Sequence, residues 1–346
     1  MHSSYDFIIV GAGIMGLLTA YELAPTQARI LIVDQQQAGQ ESSWAGGGIL
    51  SPLYPWRAPD VIQPLFLQSL KHYPNLIEAL QQQSGIDPQY WPCGLSILNP
   101  PDSDDAFHWA QEKKLPIHLI EKNLWLPFVA QVRNPRLLKA LLNTLQKKSN
   151  IQLIEYQPIL DFKKSNEKII SIHTPQQSFM AEHFIVCAGA WTNELLKPLN
   201  IHLPIEPVLG QMILLKPAEK ILNHILLKDD CYLIPRQDGL ILVGSTVEKT
   251  QFNKHITPSA RNVLWQSALN ICPSLSSAER VTQWAGLRPG TPEGIPYIGR
   301  VTPFENLWIN AGHFRNGLTL APASCQLLAD LILKKSPALD PIPYQA

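Results

Sequence analysis

Apolar and polar positions along this chain follow two rhythms that separate strands from helices. Short continuous apolar runs, the mark of strands buried on both faces, stand at Tyr5–Val10, Ala28–Val33 and His183–Cys187. Helical periodicity governs Pro64–Gln83, Arg136–Lys147, Ser259–Ile271 and Ala321–Lys334. Further short strands are predicted at Leu95–Leu98, Ile151–Tyr156, Lys168–His173, Gln211–Lys216, Tyr232–Pro235, Leu240–Ser245 and Leu307–Asn310. The first ~40 residues read as a βαβ unit, whereas residues ~205–250 read as an antiparallel meander. The expected fold class is therefore α/β with α+β character: a Rossmann-like nucleotide-binding half interleaved with an antiparallel-sheet half. We place the first in residues 1–80, 136–205 and 285–346 and the second in 81–135 and 206–284.

The junction between the first strand and the first helix carries chemistry. Gly11, Gly13 and Gly16 form G-x-G-x-x-G directly after a strand, with Ile14 and Met15 opening the helix. In such a turn the first glycine permits the sharp bend and the second lets backbone approach a pyrophosphate. The third lets helix and strand pack closely, while the helix N-terminus favours the negative charge. Asp34 ends the next strand, where an acid that grips a ribose hydroxyl is expected. Two later segments repeat the theme. His183–Trp191 runs from a buried strand into Ala188-Gly189-Ala190, and Leu307–Pro322 runs from a strand through a polar turn into a last helix opened by Ala321 and Pro322. Small residues at such turns let a flat ligand lie against backbone, and a helix N-terminus favours negative charge.

Composition narrows the field. The 346-residue chain is long enough for two domains, and its 45% apolar share is ordinary for a soluble globular protein. Formal net charge is zero, and no basic tract offers a footprint for nucleic acid. Five scattered cysteines, without a Cys-x-x-Cys, argue for reduced thiols in a cytoplasm and against a zinc site. The first strand starts too early for a secretory signal, and no apolar run is long enough to span a bilayer. No Ser-His-Asp arrangement, carboxylate pair or metal spacing is apparent.

The motifs, taken together, resemble the D-amino-acid-oxidase-like FAD-dependent oxidoreductases, in the branch that oxidises glycine and is tied to thiamine biosynthesis. The resemblance runs end to end. Besides Gly11–Gly16 it rests on Gly39–Pro52, Ala188–Trp191, Pro204–Gln211, Cys231–Arg236, Gly286–Pro289 and, most distinctive, Gly312–Gly317. It implies noncovalent FAD, because the cysteine of covalent relatives has no counterpart on the turn and Cys325 lies within the last helix. Asp34 stands where many relatives carry Glu, and either carboxylate accepts from ribose hydroxyls.

In that resemblance the cofactor lies on Gly11, Gly13, Ile14, Met15, Gly16 and Asp34, and on Ser42, Ser43, Ala45, Gly46, Gly47, Gly48 and Ile49 along the ring. Further contacts fall to Ala188, Gly189, Trp191, Gly286 and Arg288, and to His313, Phe314, Arg315, Asn316, Gly317 and Leu318. Arg288 and Arg315 match carboxylate-binding arginines, and Tyr232 matches a tyrosine that reaches the same carboxylate. A planar guanidinium suits that task because it meets a carboxylate bidentately. The alternative for either arginine is an internal acid such as Glu293. Met212 and Trp284 are candidate pocket walls, and His313 a candidate for tuning the flavin.

The implied reaction is oxidative deamination of glycine, with some turnover of sarcosine, N-ethylglycine and D-alanine. Hydride passes to the flavin, and oxygen then yields hydrogen peroxide beside glyoxylate and ammonia. No side chain is assigned as acid or base, so the substrate must arrive as free amine. Expected partners are a small amine and oxygen, with no nucleic acid, no membrane span and a possible homo-oligomer. Competing readings are an amino-acid or proline dehydrogenase feeding a quinone, a tRNA-modifying flavin oxidase, a flavin-binding assembly partner with little turnover, and a nicotinamide dehydrogenase.

Overall fold

The computed structural model describes residues 4–346. Its first layer is an eight-stranded sheet built around Ser4–Val10. That strand pairs in parallel with Ile30–Val33 on one side and with Ser178–Val186 on the other. The sheet extends in parallel to Ile151–Ile154 at one end and Leu307–Ala311 at the other, where Tyr297–Arg300 adds an antiparallel edge. A hairpin, Asp161–Ser165 with Lys168–His173, joins along Ser178–Val186.

The apolar runs are explained by burial on both faces. Phe7, Ile9, Ile30, Ile32 and Ile185 point into one core, while the alternating Ile8, Val10, Leu31, Val33, Phe184 and Val186 point into a second. Parallel strands covered on both sides have no solvent face on which to alternate polar residues. The helices Ile14–Leu23, Gln63–Ser84, Asn134–Gln146 and Gly317–Ile332 contribute to the first core.

The second sheet has nine strands, and its spine is Glu206–Lys216. Ile241–Gly244, Cys231–Pro235 and Ile225–Lys228 follow as an antiparallel meander, after which Leu95–Ile97 joins in parallel. Helix Pro258–Ile271, capped by the Thr257 hydroxyl, packs over this meander through Leu264 and Ala268. The other side of Glu206–Lys216 is taken by the twelve-residue strand Glu279–Gly290, paired from Glu206↔Gly290 to Lys216↔Glu279 with one bulge, at Val281, between the Leu214 and Leu215 pairs.

Two differences from the sequence pattern have physical causes. The last helix opens at Gly317 rather than at Ala321, so Pro322 lies inside it. A proline there leaves the carbonyl four residues back without its helical donor. The Tyr73 hydroxyl supplies that bond to Leu318 O, and Ser69 Oγ accepts from Ala323 N at 3.1 Å. Strand Glu279–Gly290 and helix Ser103–Lys113 were not anticipated. The strand starts with exposed Glu279, Arg280, Val281 and Thr282, and its pairing with Glu206–Lys216, not its own alternation, makes it a strand. No helix among the described residues is long and apolar enough to cross a membrane.

Candidate active site

A cleft of about 380 Å³ opens where the parallel strands end and is closed from the far side by the second sheet. It gathers the C-terminal ends of Ser4–Val10, Ile30–Val33, Ser178–Val186 and Leu307–Ala311, the position where open α/β sheets take ligands. Of the site residues expected from sequence, all but Gly16 and the candidate wall Trp284 line it. Gly16 acts underneath: a Cβ there would sit 1.8 Å from Gly11 O, so only glycine lets helix and turn close together.

The dinucleotide turn is built to admit a ligand against bare backbone. Gly11 holds φ at +105°, and a Cβ would stand 2.4 Å from Cys187 O. Helix Ile14–Leu23 has no side-chain cap from Gly13 and no acid in its first turn, which leaves its positive end toward the cleft. Ser43 Oγ accepts from Ile14 N at 2.9 Å and so brings the 42–49 segment to that helix end. Asp34 accepts from Ala12 N at 2.6 Å and from Gln36 N at 2.8 Å, which orients its carboxylate on the turn. Burial nonetheless pushes its pKa up, opposed by those two bonds.

At the other end of the cleft stands a pair of guanidiniums. Arg288 donates through Nη2 to Ser245 Oγ at 2.7 Å and through Nη1 to Thr246 O at 3.1 Å. Neither partner carries charge, and no salt bridge forms at Arg288 among the described residues, Glu293 included. Burial lowers its pKa, and the Arg315 cation beside it adds to the effect. Arg315 faces only the highly exposed Asp230, at 3.7 Å, and its Nη2 is buried without a partner. Two cations in one recess with so little negative charge make a site for an anion.

The meander shapes this recess through its glycines. Gly210 lies under Arg288 so closely that a Cβ would stand 2.1 Å from Nη1. The buried ring of Tyr232 is wedged between Gly244 and Gly47, where added Cβ atoms would meet its Cε2 at 2.8 and 3.3 Å. The Met212 methyl closes the same corner, 2.7 Å from a Cβ placed on Gly244. Gln211 fixes the loop behind Arg288: its N donates to Thr246 Oγ1 at 2.9 Å and its carbonyl accepts from Thr246 N at 3.2 Å.

The Gly312–Gly317 turn is tied to the arginine strand by Phe314 N, which donates to Pro289 O at 2.9 Å. His313 is fully enclosed, with Nε2 3.1 Å from Ser324 Oγ, and burial drives its pKa down to about 3. It is therefore a neutral, positioned ring.

Trp284 departs from expectation: it does not line the cleft, because its Nε1 turns away to donate to Ala45 O at 3.0 Å. Several lining residues escaped the list of site residues read from sequence, among them Gln157, Gly210 and Ser245, whereas Glu41 lines the cleft at the start of the 41–49 segment expected along the ring. Gly210 alone left a signal, as the glycine inside the Pro204–Gln211 motif just before a predicted strand. Glu41 is held by Lys254 at 2.8 Å and Trp191 is stacked by Phe252 at 5.6 Å, so the 252–254 segment braces one side of the mouth.

The donor set fits a dinucleotide. A helix end, glycines where Cβ atoms would clash, and a carboxylate after the second strand match phosphates, a close approach and a ribose. Comparison with known proteins agrees. Residues 6–331 match the model of the FAD dependent oxidoreductase family DAO. A glycine oxidase of Pseudomonas putida is 43% identical over 357 residues, covering 99% of this chain and 98% of that protein. A bifunctional protein ThiO/ThiG of Synechocystis is 32% identical, covering 98% of this chain and 53% of that protein. The crystal structure of a glycine oxidase from Geobacillus kaustophilus superposes with a TM-score of 0.93 at 28% identity, covering 100% of this chain and 98% of that one.

Proposed function

This chain belongs to the FAD-dependent oxidoreductase family and uses FAD, and from that premise we propose that it oxidises glycine and closely related small amines. The observation that carries the reading is Arg288: a cation deep in the cleft with no salt bridge among the described residues, held at Ser245 and Thr246 and backed by Gly210. A substrate carboxylate supplies the missing charge, and the fork of the guanidinium fixes its plane. Tyr232 would donate its hydroxyl to the same carboxylate, and Arg315 would add a second positive charge from the mouth.

When bound, FAD supplies the acceptor for a hydride from the substrate α-carbon. The chain's own residues bind, orient and confine. Gly11, Gly13, Asp34 and the helix end would hold the dinucleotide, and Ala45–Ile49, Gly286 and the Gly312–Leu318 turn would bound its ring. Tyr232, Met212 and Arg288 leave a narrow recess, which favours an α-carbon with little or no side chain. Nothing in the recess is placed to take a proton: His313 is buried against Ser324, and a guanidinium offers donors and no acceptor. The amine must therefore lose its proton before reaction.

Oxygen as the final acceptor, and delivery of the imine product to thiazole synthesis, are parts of the same proposal. The fused relative ThiO/ThiG supports the second. So is the division into a flavin half (1–80, 136–205 and 285–346) and a substrate half (81–135 and 206–284), with strand Glu279–Gly290 crossing the last boundary.

The test is anaerobic mixing of the purified yellow protein with glycine, followed by air. Bleaching, then colour recovery with hydrogen peroxide, is the expected result. A flavin that glycine never bleaches would remove the substrate, and bleaching without rapid recovery would replace oxygen with another acceptor.

A further inference from the structure

The Ser43–Ile49 segment lines the cleft, yet its carbonyls are drawn to groups outside it. Asn134 Nδ2 donates to Ser43 O and to Gly46 O, both at 2.9 Å, and Trp284 Nε1 takes Ala45 O. Val132 N donates to Gly48 O at 2.9 Å, and Thr319 Oγ1 to Ile49 O at 3.2 Å. Among the cleft-lining residues of the segment, which leave out Trp44, the last carbonyl is Gly47 O, and it accepts from Arg236 Nη2 at 2.9 Å. None of these donors lines the cleft. With its carbonyls turned outward, the segment can offer the cleft its amides, and those of Gly46, Gly47, Gly48 and Ile49 bond to nothing else among the described residues.

Arg236 differs from the other donors in carrying charge. It is buried, with Nη1 bonded to Gln131 Oε1 at 2.7 Å and to Val132 O at 3.0 Å. All its acceptors are neutral. The nearest acid on its own hairpin, Asp238, is engaged by Arg133 at 2.6 Å. A cation enclosed this way projects its field through a low-dielectric interior, and the cleft-lining Gly47 is its direct contact. Burial, with the Arg133 cation nearby, lowers its pKa only to about 10, so the charge persists at neutral pH.

We propose that Arg236 is a positioning residue for the flavin: it holds Gly47 O away from the cleft, keeping the adjacent amides aimed into it, and its uncompensated charge favours the more negative, reduced form of the bound ring. This rests on the FAD reading above and adds to it a residue outside the cleft. Nothing in the proposed turnover requires Arg236 to touch substrate.

The experiment compares the wild-type chain with Arg236→Gln and Gln131→Glu, reading FAD affinity by titration of apoprotein and the midpoint potential of the bound flavin. Arg236→Gln is expected to raise the FAD dissociation constant by about tenfold or more, the worth of a hydrogen bond to a charged group. It is also expected to lower the potential. Gln131→Glu places a carboxylate against the guanidinium, whose charge favours the ionised form and is offset by it; the amide's bonds to Pro235 O and Cys93 Sγ are given up, while the Gly47 bond stays in place. It is expected to lower the potential with FAD affinity retained. Unchanged potentials in both variants would overturn the proposal, and if Arg236→Gln fails to fold, Gln131→Glu alone decides. A wild-type chain that takes up no FAD would instead strike the family-based reading.

Discussion

Arg288 is the residue whose chemistry the structure constrains most. Its partners are a hydroxyl and a carbonyl, so replacing it does not free an acid elsewhere. Arg288→Ala is expected to lower kcat/KM for glycine by roughly 100-fold or more while FAD stays bound, since truncating a buried partner of a charge costs several kcal/mol. Steady-state kinetics beside the flavin spectrum check both halves. His313 makes a separate prediction. Its folded pKa, near 3, lies far below the ordinary 6.5, so between those values the unfolded chain binds a proton that the folded chain refuses. Stability therefore falls as pH drops through that window, and His313→Gln should flatten the fall, as read by denaturant midpoints at pH 7, 5 and 4. Residue identities in the cleft were legible because glycine, arginine and tyrosine stood in distinctive motifs. Ser245 was not legible, since a common polar residue acquires a role only through the neighbours that the fold brings to it.

Among the elements, buried parallel strands and amphipathic helices announced themselves through their periodicity, and most ends fell within a few residues of expectation. Glu279–Gly290 did not, although it carries Gly286 and Arg288. Its pattern mixes exposed polar residues with small ones, and pairing along the whole of Glu206–Lys216 determines its conformation. That pairing brings Gly210 opposite Gly286, two bare positions side by side beneath the guanidinium and the Ala45 methyl. Gly210→Ala should displace Arg288 and lower kcat/KM by about 100-fold, as small misplacements of binding groups do, with little change in FAD affinity. The C-terminal helix shows the same dependence on context. Pro322 exposes Leu318 O, and Tyr73, from the long helix, answers it. Tyr73→Phe is expected to cost about 1–3 kcal/mol by leaving that carbonyl buried and unpaired, which thermal unfolding would register.

At the scale of the molecule, one sheet holds the dinucleotide turn and the other the arginine recess, and the cleft exists only where they meet. With no side chain set to accept a proton, kcat/KM for glycine should rise with pH as the substrate amine deprotonates. No histidine inflection is expected between about pH 5 and 8. A pH profile with a protein-borne break in that range would reveal a base that the cleft does not display.

The eight-stranded sheet draws its strands from residues 4–33, 151–186 and 297–311, and the second sheet is threaded through the gaps. During synthesis the glycine-rich turn leaves the ribosome about three hundred residues before the strand and helix that close its cleft. The first sheet cannot be completed until the second has been threaded through it, so the flavin half cannot fold as a finished unit ahead of the rest of the chain. Nascent chains halted before residue 307 should remain protease-sensitive and colourless even when the vitamin-derived cofactor is abundant.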